Sequence, residues 1–307
     1  MGTPQFGVVP LELLVNSNYT VAGVYTQQDK IAGRGQMITS LPVKKTALHY
    51  NLPIYQPGNL KAEASVAELR SIKPDLLITA AYGQILSPRV LEIPRFGCIN
   101  IHPSLLPLYR GVSPVPASIL AGDEFTGVTI MLADQGIDTG PLLTQARVPV
   151  LSQDTTGTLT DKLSVIGAQL LLDVIPRWTA GHLKPRVQDS TTASYCRKIN
   201  KEDGKIDWQL PASAIWRQTR AYAPWPGSYT TWQGKQLKIL AARPMATAPG
   251  GWAGEVIPVK DKEIGFGIVT AEGVLGITAV QFEGKRAMTA GDYARGQREF
   301  IGTVLPS

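Results

Sequence analysis

Short apolar runs alternate with amphipathic stretches through the first half of the chain. "TVAGVYT" (20–26) is a brief β-branched run, and "PVKKTALHYN" (42–51) reads as a helix with proline in its first turn. "LPIYQP" predicts a second short strand, and "KAEASVAELRSI" (61–72) has the spacing of an amphipathic helix. "PDLLITAAY" (74–82) and "CINIHPS" predict buried strands. "GVTIMLA" (127–133) and "LLTQARVPV" (142–150) predict two more, and residues 155–181 hold one long helix that ends near Gly181. Strands separated by helices of this length predict βαβ units and a Rossmann-like, mostly parallel sheet. Such a sheet opens on a buried strand before its first glycine turn. Here "MGTP" supplies the turn with nothing ahead of it, so the first strand is expected to be truncated, with the natural start a few residues upstream.

The pattern changes after about residue 181. "HLKPRVQDSTTASYCRKINKEDGKIDW" is polar and aperiodic and reads as a connector. Beyond it, "GSYTTWQGKQLKIL", "GEVIPVK" and "GIVTAEGVLGITAVQF" are short strands separated by glycine turns. The expected organisation is an α/β domain over 1–189, a linker over 190–202, and a small all-β, OB-like barrel over 203–307.

Composition narrows the class. The chain is 44% apolar and 18% charged with a mean hydropathy of +0.00, as in a soluble globular protein. No run approaches the roughly 18 apolar residues of a membrane span. The start lacks a basic region and an apolar core, so no leader is expected. Cys98 and Cys196 are far apart, which fits the reducing cytoplasm, and three His with two Cys do not make a metal cluster. The net charge of +6 is uneven: residues 1–189 carry +1 and residues 190–307 carry +5. A basic second segment points to an anionic partner, with nucleic acid first among the classes and a merely solvated surface as the plain alternative.

The candidate chemistry sits in "CINIHPSLLPLYRG" (98–111). Asn100 and His102 share one face of a strand because side chains alternate, while Ile101 faces the other way. Two polar side chains on a buried strand are costly unless they have partners or work to do. About 25 residues past His102 begins "GVTIMLADQGIDTGPLL", whose "DQGIDTG" places Asp134 and Asp138 among glycines in a strand-to-strand loop. A carboxylate there could orient a histidine and hold its charge. No activated Ser or Cys accompanies the set, since Cys98 lies deeper on the strand and reads as a buried inert thiol. An imidazolium held by a carboxylate, beside an amide, suits an oxyanion formed in acyl transfer to an amine.

"INIHPSLLPLYRG", "GVTIMLADQGIDTG" and the opening "MGTPQF" together resemble the folate-dependent formyltransferase family. "YTQQDKIAGRGQMITSLPVK" (25–44) is similar to the basic loop of the branch that acts on tRNA. "KINKEDGKIDWQLPA", "RAYAPWPGSYT" and "GKRAMTAGDYARG" (284–296) are similar to that branch's junction and second domain. The resemblance spans nearly the whole chain in order. It implies the formyltransferase fold, 10-formyltetrahydrofolate as formyl donor and initiator methionyl-tRNA as acceptor. A cytoplasmic location and no metal are expected from the cysteine and histidine usage, and a monomer because no exposed heptad or apolar stripe suggests a partner.

Carried over by residue, the resemblance implies that Asn100 binds the formyl oxygen. It implies that His102, held protonated by Asp138, stabilises the oxyanion, and that Asp138 holds a proton-relaying water. Ser104, Leu105, Leu106 and Pro107 are expected around the folate, with Tyr82, Gly83 and Gln84 as neighbours. Arg34, Lys30, Lys44 and Lys45 are expected to reach the acceptor arm of the tRNA. Arg197, Lys198 and Lys201 are expected on its backbone, with Lys205, Lys235, Lys238, Lys285 and Arg286 as further candidates. Trp225 is expected to serve domain packing. Three positions depart from the family pattern: Leu108 where a basic residue is usual, Gln28 where proline is common, and "MLADQG" as a looser loop. Three other readings stay open: a sugar-nucleotide N-formyltransferase, a formyltetrahydrofolate hydrolase, and an inactive RNA-binding protein.

Overall fold

The computed structural model describes residues 1–32, 37–245, 250–297 and 299–306. In chain order its elements are α1 (Val8–Val15), β1 (Val24–Tyr25), β2 (Lys30–Ala32), β3 (Met37–Thr39), α2 (Pro42–His49), β4 (Ile54–Tyr55), α3 (Glu63–Ile72), β5 (Leu77–Thr79), α4 (Pro88–Leu91), β6 (Cys98–His102), β7 (Arg110–Gly111), α5 (Pro114–Ala121), β8 (Phe125–Leu132) and β9 (Leu142–Pro149). There follow α6 (Thr156–Thr179), β10 (Tyr195–Cys196), α7 (Ala212–Ala221), β11 (Ser228–Trp232), β12 (Lys235–Met245), β13 (Val256–Ile257), β14 (Phe266–Val269), β15 (Val274–Phe282), β16 (Met288–Thr289) and α8 (Ala290–Gly296).

The chain divides into two units. The first holds residues 1–114, 124–149 and 158–197, and the second holds 115–123, 150–157 and 198–307. The second unit therefore takes in two segments that the sequence pattern assigns to the first. Side chains of α7 explain part of this. Arg220 donates to the Leu151 and Asp154 carbonyls, and the Thr156 hydroxyl donates to Ala221 O at 2.6 Å.

In the first unit β1 pairs in parallel with β4, and β5 in parallel with β6. β6, β8 and β9 then run antiparallel, so the sheet is mixed on that side. α6 buries one stripe, Leu159, Leu163, Gly167, Leu171 and Ile175, at the three-to-four-residue spacing of a core-facing helix. Gly167 lets α6 come down onto the sheet: a Cβ there would stand 2.8 Å from Ile101 and 3.0 Å from Val128. Ile101 therefore faces the helix, and the alternation turns Asn100 and His102 to the opposite face.

Met1 and Gly2 lie between β1 and β5, with Gly2 N–H donating to Tyr25 O at 3.0 Å and Ala80 N–H to Met1 O at 2.9 Å. Gly2 also bridges Ala80 in parallel. Beside this two-residue stub is an apolar groove of about 660 Å³, lined by Leu11, Leu14, Val21, Val24, Leu76 and Ile78 among others.

The second unit is a six-stranded antiparallel sheet ordered β11-β12-β15-β14-β13, with β16 added to β15. β11 and β13 remain its ends, so the expected small barrel is an open half-barrel ladder. Its core is aromatic: Trp232, Phe266, Tyr293 and Phe300 meet edge to face, with ring centroids 4.9 to 6.1 Å apart.

Two expectations change. Residues 190–202 are not a plain linker: β10 pairs in parallel with β7, matching Tyr195 to Arg110 and Cys196 to Gly111. The backbone of this polar stretch is used as a strand, which its composition hides. Trp225 is 57% exposed, so it is a surface ring; buried indole packing in this unit falls to Trp208 and Trp232.

Candidate active site

β6 delivers the site. Asn100 lies opposite Thr79 in the β5–β6 register, and the Thr79 hydroxyl donates to Asn100 Oδ1 at 2.8 Å. Asn100 Nδ2 donates to Asp138 Oδ1 at 3.2 Å. A carboxylate only accepts, so this bond fixes which way the amide points. The second Nδ2 proton is left for another acceptor.

His102 ends the same strand and is 4% exposed. Its Nδ1 lies 3.5 Å from Asp138 Oδ1, and its Nε2 lies 3.0 Å from the Tyr109 carbonyl oxygen. Oxygen atoms thus stand opposite both ring nitrogens. The other carboxylate oxygen, Asp138 Oδ2, accepts from Gly111 N–H at 2.9 Å. Asp138 thus touches the amide, the imidazole and the backbone of β7 at once. It does so from a left-handed backbone with φ of +54°.

Asp134 has a different job. Its Oδ1 accepts from Gly136 N–H at 3.0 Å and from the Thr139 hydroxyl at 2.8 Å, folding the loop upon itself.

The segment after His102 is tied to the sheet. Ser104 and Leu106 are buried, while Leu105 and Pro107 are half-buried. The Ser104 hydroxyl donates to Leu108 O at 2.6 Å. Thr129 Oγ1, on β8, donates to Ser104 O at 2.6 Å and accepts from Leu106 N–H at 3.1 Å. Leu106 packs with Met131 and Leu142, and Leu108 is 41% exposed. Tyr82 is buried with Tyr25 and Leu60, and burial pushes its phenol up to about 12. Gly83 has φ of +83°, and Gln84 holds a neighbouring loop through Leu60 N–H and Pro57 O.

The basic set is dispersed. Arg34 lies outside the described residues, as does the side chain of Lys30, while β2 and β3 pair antiparallel. Lys44 is paired with Asp29, and the Lys44 hydrogen bond holds that carboxyl below its usual range. Lys45, Arg197, Lys198, Lys201, Lys205, Lys235, Lys285 and Arg286 are exposed, and Lys238 is half-buried. Among the described residues no group of three or more His, Cys, Asp or Glu could hold a metal. Cys98 is buried, and desolvation pushes its thiol up to about 12.

Pattern reading misses four contributors: Thr79, Tyr109, Gly111 and Gln188. Thr79 carries the same signal as Asn100, a polar residue in an apolar run. Gln188 carries none, because it stands in the polar stretch read as a connector.

A formyl transferase family model matches residues 5–175, and the model for the formyl transferase C-terminal domain matches 198–298. A methionyl-tRNA formyltransferase of Dehalococcoides mccartyi is 45% identical over 305 residues, covering 99% of this chain and 97% of that protein. WlaRD, a sugar 3N-formyl transferase solved with dTDP and 5-N-formyl-THF, overlays with a TM-score of 0.66 at 23% identity, over 93% of this chain and 97% of its own. HypX of Aquifex aeolicus, solved with tetrahydrofolic acid, overlays with a TM-score of 0.58 at 21% identity, and this chain spans 77% of itself but only 41% of HypX. The two structural overlays establish the fold, and the family models with the near-full-length identity place the chain in the formyl transferase family, among the methionyl-tRNA formyltransferases.

Proposed function

We propose that Asn100, His102 and Asp138 carry the transfer of a formyl group from 10-formyltetrahydrofolate to the methionine amine of initiator methionyl-tRNA. The observation behind this reading is the Asp138 carboxylate, which reaches Asn100 Nδ2 at 3.2 Å and lies 3.5 Å from His102 Nδ1. The amine lone pair attacks the formyl carbon, and the carbonyl electrons move to oxygen. The free proton on Asn100 Nδ2 receives that oxyanion. With His102 protonated, both of its N–H groups face other oxygens, so the imidazolium acts through its charge on the oxyanion. Collapse breaks the bond from carbon to the folate nitrogen. The amine's proton passes to that nitrogen through a water held at Asp138.

Leu105 and Pro107 are the half-buried members of the loop after β6 and suit an apolar folate wall. Ser104 and Leu106, being internal, hold that wall in shape, and Tyr82, Gly83 and Gln84 shape the adjoining loop. The relatives' acceptor is the reason to prefer tRNA over an amino-sugar nucleotide or water. Arg34 and Lys30 near the acceptor end, with Lys45, Arg197, Lys198 and Lys201 on the tRNA backbone, are the proposed phosphate contacts. Lys44 joins them only by leaving Asp29. We read the enzyme as a cytoplasmic monomer; among the described residues no helix is long and apolar enough to cross a membrane.

The test is formyl transfer from 10-formyltetrahydrofolate to methionyl initiator tRNA, resolved on an acid gel. His102→Ala and Asn100→Ala are expected to lower kcat by roughly 100-fold or more. Full activity in His102→Ala, or transfer only to an amino sugar or to water, overturns the reading.

A further inference from the structure

Arg110 follows the residue whose carbonyl faces His102, yet its guanidinium is turned inward and the residue is only 2% exposed. Its Nε and Nη2 both donate to Gln188 Oε1, at 3.1 and 2.9 Å, and its Nη1 donates to the Tyr195 hydroxyl at 3.0 Å. Gln188 is 7% exposed. Its Nε2 donates to Asp138 O at 2.8 Å and to Gly140 O at 2.7 Å. A guanidinium has no acceptor, so Oε1 must face Arg110 and both amide protons must face the Asp138 loop. Every polar capacity of this side chain is used by the loop and its brace.

The connections close into a ring. Asp138 is held at its carbonyl by Gln188, Gln188 by the Arg110 side chain, and the next residue, Gly111, holds the Asp138 carboxylate through its N–H. One dipeptide therefore fixes both ends of the aspartate. The hold matters because Asp138 occupies a left-handed conformation, which aspartate tolerates but which is less favoured than the ordinary regions. The brace is itself rigid, since β7 is paired along β10 and Arg110 N–H donates to Ser194 O at 2.8 Å.

We infer that Gln188, braced by Arg110, is a positioning residue that sets where the Asp138 carboxylate sits against Asn100 and His102. This rests on the reading of Asp138 as part of the reacting set. Gln188 lies between the two stretches matched by the family models. It touches no reacting group and acts through the loop it holds.

The test compares Gln188→Glu and Gln188→Ala with the parent and with Asp138→Asn. Gln188→Glu keeps shape and the bond from Arg110 but removes both donors to the loop. Two buried carbonyls then face a carboxylate, so its melting temperature is expected to fall by a few degrees, and kcat is compared well below the transition. Its kcat is expected to fall roughly 10- to 100-fold, as for a slightly misplaced group, with KM for folate and tRNA unchanged. The pH profile of kcat is expected to move toward that of Asp138→Asn. Gln188→Ala is expected to lose both kcat and stability. His102 ring ¹⁵N shifts are read in the same proteins, and Gln188→Glu is expected to move them. If the parent transfers no formyl group, the functional reading fails while these shifts still report on positioning. Parent-like kcat and pH profile in Gln188→Glu, or unchanged His102 shifts, overturn the inference.

Discussion

Two thiols show how local surroundings decide reactivity. Cys98 is 2% exposed and desolvation raises its pKa from 9.0 to about 12. Cys196 is raised as well, chiefly by burial, although Ser113 N–H donates to its sulfur. The thiolate is the reactive form, so three pKa steps cut it roughly a thousandfold at Cys98. In native protein at pH 8, iodoacetamide is therefore expected to leave Cys98 unlabelled and Cys196 slow, whereas urea exposes both, as read by mass spectrometry. Labelling of native Cys98 at the rate seen in urea sinks this. The sign for stability follows: a group whose folded pKa is raised favours the fold below its unfolded value. That contribution is lost as pH climbs from 9.0 toward about 12. At this scale the sequence was informative where polarity broke an apolar run, as at Asn100 and His102. It was silent for Gln188, whose burial depends on a strand pairing that its neighbours' composition does not announce.

Among elements, β8 does more than complete the sheet. Thr129 is fully buried, and its hydroxyl meets Ser104 O, Leu106 N–H and Gln145 Nε2. The loop after His102 is thereby stapled to a central strand. Thr129→Val keeps the volume and leaves those groups unpaired. It is expected to cost about 1–3 kcal/mol in denaturant unfolding and to raise KM for folate, because the loop relaxes. A variant of parent-like stability and KM removes the staple from the account. Most elements were legible from their periodicity: α2, α3, α6 and strands β4 to β6 and β9 fall within the stretches that the pattern marks, and β8 begins two residues ahead of its stretch. The β7–β10 pair was not, since Arg110–Gly111 and Tyr195–Cys196 lie in polar stretches without the apolar run that marks β4. The antiparallel turn of the sheet at β8 was equally hidden, because a strand buried on both faces carries no sign of direction.

For the molecule as a whole, composition and glycine spacing separated an α/β part from an all-β part, but not the segments 115–123 and 150–157, which belong to the second unit. Their membership is set by α7 side chains reaching far along the chain, something no local pattern encodes. The groove beside Met1 and Gly2 has a consequence of its own. Among the described residues β1 pairs with β4 and β5 with β6, and Met1 and Gly2 cover only part of the two edges that face each other there. Partly covered edges are adhesive toward an extended apolar chain, which makes this crevice a place where copies of the chain could associate. Light scattering is expected to grow with protein concentration on warming. A five-residue valine- and isoleucine-rich strand fused ahead of Met1 is expected to suppress that growth and raise Tm by several degrees. If the fusion scatters and melts like the parent, the crevice is inert and the stub alone seals the sheet.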